Sequence, residues 1–311
     1  MSPPTLIRNP IVHKYHICEP LGNGTFGMVY RGEHIKTKEI VAIKMEPLSH
    51  PFPLIKHETF ILHYLHSKKC LNIPLVLWYG KHEEWNVVVM PCYDYTLDVY
   101  IREYIRPTTP LSSVIKVFQM MIHVIHQIHK HGIVHRDLKP QNFILKGSEL
   151  VLLDFGFAQF YWEDMNGKHK SEESAHRNHL IGTLPYISYF VHCGLDVSRR
   201  DDVMSVLYIF LFLLYGELYW EHIPPLSTTS ASAHVFDIQD KTDIEYPRNS
   251  LLRDFKQCDA LLLYIEHHSP LYPQWNPVLP VLREIIEYVY QLSFIEMPNY
   301  DYLYNCWDAL L

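Results

Sequence analysis

The chain has 311 residues, 48% of them apolar and 20% charged, with 12 glycines and 21 prolines. That is the makeup of a packed globule with one large domain or two unequal lobes, and it excludes a mostly unstructured chain and a collagen. Lysine and arginine number 27 against 34 acidic residues, a formal charge of −7, without the basic excess usual in nucleic-acid binding.

Residues 1–10 carry prolines and no apolar core, so no secretion signal is read there. Residues 15–21 alternate as a strand and run into Gly22-Asn23-Gly24-Thr25-Phe26-Gly27. Residues 28–34 and the β-branched 40–43 read as two further strands, separated by Lys36-Thr37-Lys38. Pro47, Pro51 and Pro53 should break regular structure before a helix over 55–66, which sets Ile55, Thr59, Leu62 and Leu65 on one face. Residues 86–90 are another strand, so the N-terminal part is a small sheet with one helix. The seam falls at Pro91-Cys92-Tyr93.

Beyond Met90 the pattern turns helical. Residues 112–130 place Ile115, Phe118, Met121, Ile122, Ile125 and Ile128 at helical spacing. Short strands at 143–145 and 150–153 flank the turn 146–148. The most apolar stretch, 203–215, is short for a bilayer span and reads as a buried core helix. Residues 227–233 are a run of Ser, Thr and Ala with no core to offer. No internal repeat is found. Six widely scattered cysteines form no CxxC pair, which points to reduced thiols inside a cell. His123, His126 and His129 recur every third residue, and steps of three drift around a helix, so they read as edge or satisfied histidines and not as a zinc site.

The chemistry-bearing residues come in a fixed order. Gly22, Gly24 and Gly27 would let backbone amides approach phosphates, and the strand that follows at Val29 favours a glycine-rich hairpin over a dinucleotide turn. Lys44 closes an apolar strand and needs a partner, for which Glu58 stands early in the next helix; two ordinary surface charges are the bland alternative. The strongest signal is His135-Arg136-Asp137-Leu138-Lys139-Pro140-Gln141-Asn142, followed by Asp154-Phe155-Gly156 at the end of an apolar strand. A carboxylate there is costly unless paired or bound to a metal. Asp137, Asn142 and Asp154 offer a base and hard oxygen ligands suited to Mg²⁺.

In these motifs the chain resembles a eukaryotic protein kinase. The resemblance implies an α+β bilobal fold: an N-lobe over 13–90 with a small antiparallel sheet and one helix, a hinge at 91–93, and a larger, mainly helical C-lobe over 94–311. It implies ATP and Mg²⁺ as cofactors and protein serine or threonine as acceptor. Gly22, Gly24 and Gly27 would cover the phosphates, and Leu21, Val29, Ala42, Met90 and Cys92 would surround the nucleotide, with Met90 as gatekeeper and Pro91 to Tyr93 reaching adenine. Lys44 would hold the α- and β-phosphates and pair with Glu58. Asp137 would accept the acceptor proton, Lys139 would face the transferred group, and Asn142 and Asp154 would bind Mg²⁺.

Val41-Ala42-Ile43-Lys44-Met45-Glu46-Pro47, Gly182-Thr183-Leu184-Pro185-Tyr186-Ile187-Ser188 and Ser198-Arg199-Arg200-Asp201-Asp202 are similar to the casein kinase 1 family, as is Pro298-Asn299-Tyr300-Asp301-Tyr302-Leu303. Pro185 replaces that family's arginine, and residues 224–230 lack its basic run, so a weakened preference for pre-phosphorylated substrates is expected. Arg136 either meets a phosphorylated loop carrying Ser171 or Ser174 or has a fixed partner, and Asp202 is expected to bind the catalytic-loop backbone. Asp308-Ala309-Leu310-Leu311 is not a prenylation box, and regulation by a C-terminal tail is not expected. A monomer in cytoplasm or nucleus, with no nucleic-acid or membrane partner, is the expectation. The alternative function is a kinase-fold scaffold that binds nucleotide or partners without turnover.

Overall fold

In the computed structural model of the protein, which describes residues 10–24, 27–93, 95–147, 149–163, 167–170, 180–222 and 251–311, the chain divides into two units. One comprises Met1–Asp94 with Leu153–Gly156, the other Tyr95–Leu152 with Phe157–Leu311. The readings at Thr25, Phe26, Ser171, Ser174, 224–230 and 227–233 lie outside the described residues.

The first unit is built on a six-stranded antiparallel sheet in the order β1-β2-β3-β4-β6-β5. Its strands are β1 (Ile11–Val12), β2 (Tyr15–Gly24), β3 (Gly27–His34), β4 (Ile40–Pro47), β5 (Trp78–His82) and β6 (Trp85–Pro91). Successive strand side chains face opposite ways. Val41, Ile43 and Met45 of β4 therefore join Val87 and Val89 of β6 and Tyr15, Ile17 and Tyr30 in one buried cluster. Ala42, Lys44, Val88 and Met90 take the other face. Pro47 does not interrupt the strand as expected: it is the last residue of β4 and pairs with Trp85, where a proline ends a ladder rather than breaking it.

Helix α1 (Leu54–Ser67) begins one residue earlier than the periodicity gives. Its N-cap, Pro53, has no side-chain bond to offer. The fully buried Glu46 carboxylate supplies one instead, accepting from the Leu54 amide at 2.8 Å and from Asn86 Nδ2 at 3.3 Å. An acidic group there satisfies an orphan amide and the helix dipole together.

The second unit is mainly helical, with α2 (Leu97–Tyr104), α3 (Leu111–Lys130), α4 (Tyr189–His192), α5 (Arg199–Tyr215), α6 (Cys258–His268), α7 (Leu279–Gln291) and α8 (Tyr300–Asn305). All 17 residues of α5 are buried, which is the signature of a helix enclosed by its neighbours. Phe118 of α3 packs edge-on to Phe210 of α5 and to Trp307. Short antiparallel ladders join β7 (Tyr95–Thr96), β9 (Phe143–Lys146) and β10 (Glu149–Leu152), and β8 (Ile133–Val134) with β11 (Gln159–Phe160). Leu153, expected in the strand, follows β10 without strand pairing.

Candidate active site

In the first unit, strand register sets the candidate nucleotide residues in rows. Gly22 pairs with Val29, Val29 with Lys44, and Ala42 with Met90. Cross-strand partners share a face, so these residues lie on the side of the sheet away from its apolar cluster. Leu21 is the extra residue of a bulge between the Pro20–Tyr30 and Gly22–Val29 pairs, and its side chain is half exposed. Gly24 pairs with Gly27 across the hairpin. The glycines differ in their demands. A Cβ on Gly27 would lie 1.9 Å from the Met45 carbonyl oxygen, while one on Gly22 meets nothing within 4 Å. Gly27 is thus required by the close approach of β4, a packing reason invisible in the motif. Cys92 follows β6 and is part-buried.

Lys44 is the centre of this unit's polar cluster. Its Nζ donates to Glu58 Oε2 and to Asp154 Oδ1, each at 2.8 Å. Glu58 is fully buried, and its second oxygen accepts from the Phe155 amide at 3.2 Å. Burial opposes the Lys44 charge, but Asp154 and Glu58 outweigh it and hold the amine above its ordinary value. Burial pushes the Glu58 carboxyl up, against the pull of Lys44. The bland reading of two surface charges is therefore excluded. Asp154 itself has φ 63°, in the left-handed region, a conformation that costs a non-glycine residue about 1–2 kcal/mol.

In the second unit, Asp137, Lys139 and Asn142 come together around a residue the sequence reading left without a role. Thr183 Oγ1 donates to Asp137 Oδ1 at 2.7 Å and accepts from Lys139 Nζ at 3.1 Å. Lys139 Nζ also donates to Asp137 Oδ2 at 2.8 Å. Asn142 Nδ2 donates to the Asp137 carbonyl at 2.8 Å, which turns the amide oxygen the other way. The Gly182-Thr183 dipeptide marked the segment, but nothing local marked the hydroxyl as a partner of a residue 46 positions earlier.

The loop that carries Asp137 is fixed from beneath. Asp202 accepts from the His135 amide at 2.7 Å, the Arg136 amide at 3.0 Å and His129 Nε2 at 2.8 Å, as expected for the start of the buried helix. Burial opposes the Asp202 charge, and the His129 bond leads the contacts that hold its carboxyl below the ordinary value. Donation by Nε2 leaves His129 Nδ1 as acceptor for the Tyr300 hydroxyl. His126 stacks on the same tyrosine. No group of three or more metal-ligating side chains is present among the described residues. Arg136, at φ 69°, donates from Nε to the Phe157 carbonyl at 2.6 Å, so it has a fixed partner.

The protein kinase domain family model matches residues 15–270. That span covers both clusters and most of the chain, and the chain belongs to the protein kinase domain family. Its antiparallel sheet unit and its helical unit fit the bilobal kinase fold. Domains of this family generally use ATP and Mg²⁺. The Asn142 amide oxygen and the Asp154 carboxylate are hard donors of the kind Mg²⁺ takes.

Proposed function

We propose that the chain is an active serine/threonine protein kinase of casein kinase 1 type. It transfers the γ-phosphoryl group of ATP to a protein hydroxyl. The observation that carries this reading is the buried Asp137 carboxylate, whose two oxygens are held by Lys139 and Thr183. A carboxylate so fixed is oriented to accept a proton from an acceptor hydroxyl. The hydroxyl oxygen then bonds to the γ-phosphorus, the bond to the bridging oxygen breaks, and ADP leaves. Lys139 neutralises charge on the moving group, as its reach to both Asp137 and Thr183 allows. Lys44, held by Glu58 and Asp154, supplies a fixed cation for the nucleotide phosphates. Asn142 and Asp154 are the residues that would hold Mg²⁺, which when bound neutralises phosphate charge.

Similarity to casein kinase 1 rests on the segments around Lys44, Thr183 and Asp201. Pro185, with its carbonyl taken by Trp220 Nε1 at 2.9 Å, offers no cation for an upstream phosphate. The test is transfer of labelled phosphate from ATP to casein, with a peptide pair differing by a phosphoserine three residues before the target. Wild type should label casein and show little preference within the pair, and Asp137→Asn should abolish labelling. Labelling undiminished in Asp137→Asn would overturn the assignment, and a strong preference for the primed peptide would overturn the specificity.

A further inference from the structure

Residues 184–187 follow Thr183, and each of their four successive carbonyls is bound by a buried side chain. Lys256 Nζ donates to Leu184 O at 2.9 Å and to Ile187 O at 2.7 Å. Between them, Trp220 Nε1 donates to Pro185 O at 2.9 Å, and Ser205 Oγ to Tyr186 O at 2.7 Å. Backbone carbonyls in a loop are normally satisfied by water or by secondary structure. Here a cage of side chains from distant parts of the chain replaces both.

Lys256 is the member that binds twice. It is fully buried, and among the described residues no carboxylate lies within ion-pair distance of its amine. His192 Nε2 stands 3.3 Å away, and the Tyr208 ring lies 4.8 Å from Nζ. The Tyr290 hydroxyl donates to the Lys256 carbonyl, which fixes the backbone from which the side chain reaches. Burial drives the amine well below its ordinary pKa. A lysine is a costly way to fill a core, and an apolar side chain of similar length would fill it more cheaply. What only the amine provides is donors for both ends of the 184–187 segment.

We infer that Lys256 is a positioning residue for the phosphoryl acceptor: by tying Leu184 and Ile187 it holds the chain next to Thr183 in the shape on which an incoming protein segment rests. The inference deepens the kinase reading above and rests on it. Loosening the segment should weaken acceptor binding and leave nucleotide binding intact. A role in stability alone would lower the melting temperature without separating the two.

The experiment uses the full chain with casein as acceptor. Initial rates are measured over a range of casein and of ATP, with thermal melts, for wild type and for Lys256→Met, Lys256→Gln and Lys256→Arg. Lys256→Met removes both donors at nearly constant volume and should raise the KM for casein about tenfold while the KM for ATP stays within about twofold. Lys256→Arg, which keeps donors, should recover part of the loss. An unchanged casein KM in a folded Lys256→Met or Lys256→Gln variant overturns the inference, as does an equal rise in both KM values. Failure of all three variants to fold would make the lysine a stability residue and overturn it equally. Absence of transfer by wild type would overturn the kinase reading itself. Transfer by wild type with an unmoved casein KM in the variants overturns only the role of Lys256.

Discussion

At Thr183 a single hydroxyl joins the carboxylate and the ammonium of Asp137 and Lys139, donating to one and accepting from the other. Removing it leaves Asp137 Oδ1 without a bond inside a site where that residue is almost wholly buried. Hydrogen bonds to charged groups are worth about 1.5–3 kcal/mol, so Thr183→Ala should lower kcat by roughly tenfold to a hundredfold. The KM for ATP should stay near wild type, and Thr183→Ser should restore most of the rate because the donor and acceptor return. Steady-state kinetics on casein check this, and a Thr183→Ser variant as slow as Thr183→Ala would point to the methyl group instead of the hydroxyl. The contrast with Lys44 is instructive. Its partner Glu58 was legible from sequence, because a lysine on an apolar strand demands a carboxylate and one stands in the next helix. Asp154 as second partner, 110 residues away, needed the fold. Thr183 and Lys256 needed it too, since a threonine or lysine in isolation has no local pattern that reveals a distant acceptor.

Among the elements, those with a full period were readable and those without were not. Helix α3 repeats apolar residues every three or four positions and begins one residue before its expected start, whereas β4, read from the β-branched run 40–43, continues through Lys44 to Pro47 because pairing with β6 carries the ladder on. The two-residue strands β1, β7, β8 and β11 are too short to alternate. Strand β5 carries only polar, glycine and aromatic residues, and its place at the sheet edge explains why no apolar face was needed. Helix α5 was recognised by its continuous apolar run, with Asp202 at its start, but the burial of Arg199, Arg200 and Asp201 in the same first turn was not. The Asp201 carboxylate accepts from the Ser198 amide at 2.7 Å and from the Ser188 hydroxyl, so polar residues enter the core with partners. The same helix ends on Gly216 at φ 79°, whose amide donates to the Phe212 carbonyl at 2.8 Å. A Cβ there would meet nothing within 4 Å. Gly216→Ala therefore isolates the cost of left-handed backbone from any clash, and should destabilise by about 1 kcal/mol in urea or thermal unfolding with casein kinetics unchanged. A loss several times larger would mean that the cap does more than turn the chain.

For the whole molecule, the buried histidines set how stability follows pH. His129 and His192, together with the less buried His126 and His169, are all pushed below the ordinary value of 6.5, in each case mainly by burial. In the unfolded chain each would take a proton as pH falls through 6.5, whereas in the fold each resists. The unfolded state then binds more protons, so stability falls with pH across that window, and it is fully present above the unfolded value. For the deeply buried His129 the slope approaches about 1.4 kcal/mol per pH unit between its unfolded and folded pKa values. Glu58 and Asp201, both raised by burial, act with the opposite sign, since they take up protons in the fold first. The four histidines outnumber these two carboxyls, and the melting temperature should drop as pH falls from about 8 to about 5.5. Scans at one heating rate in matched ionic strength measure it. A melting temperature that held level or rose toward pH 5.5 would require at least one of these histidines to enter the fold already protonated, and for His129 that would put a donor on both ring nitrogens, against an Asp202 carboxylate on one side and the Tyr300 hydroxyl on the other.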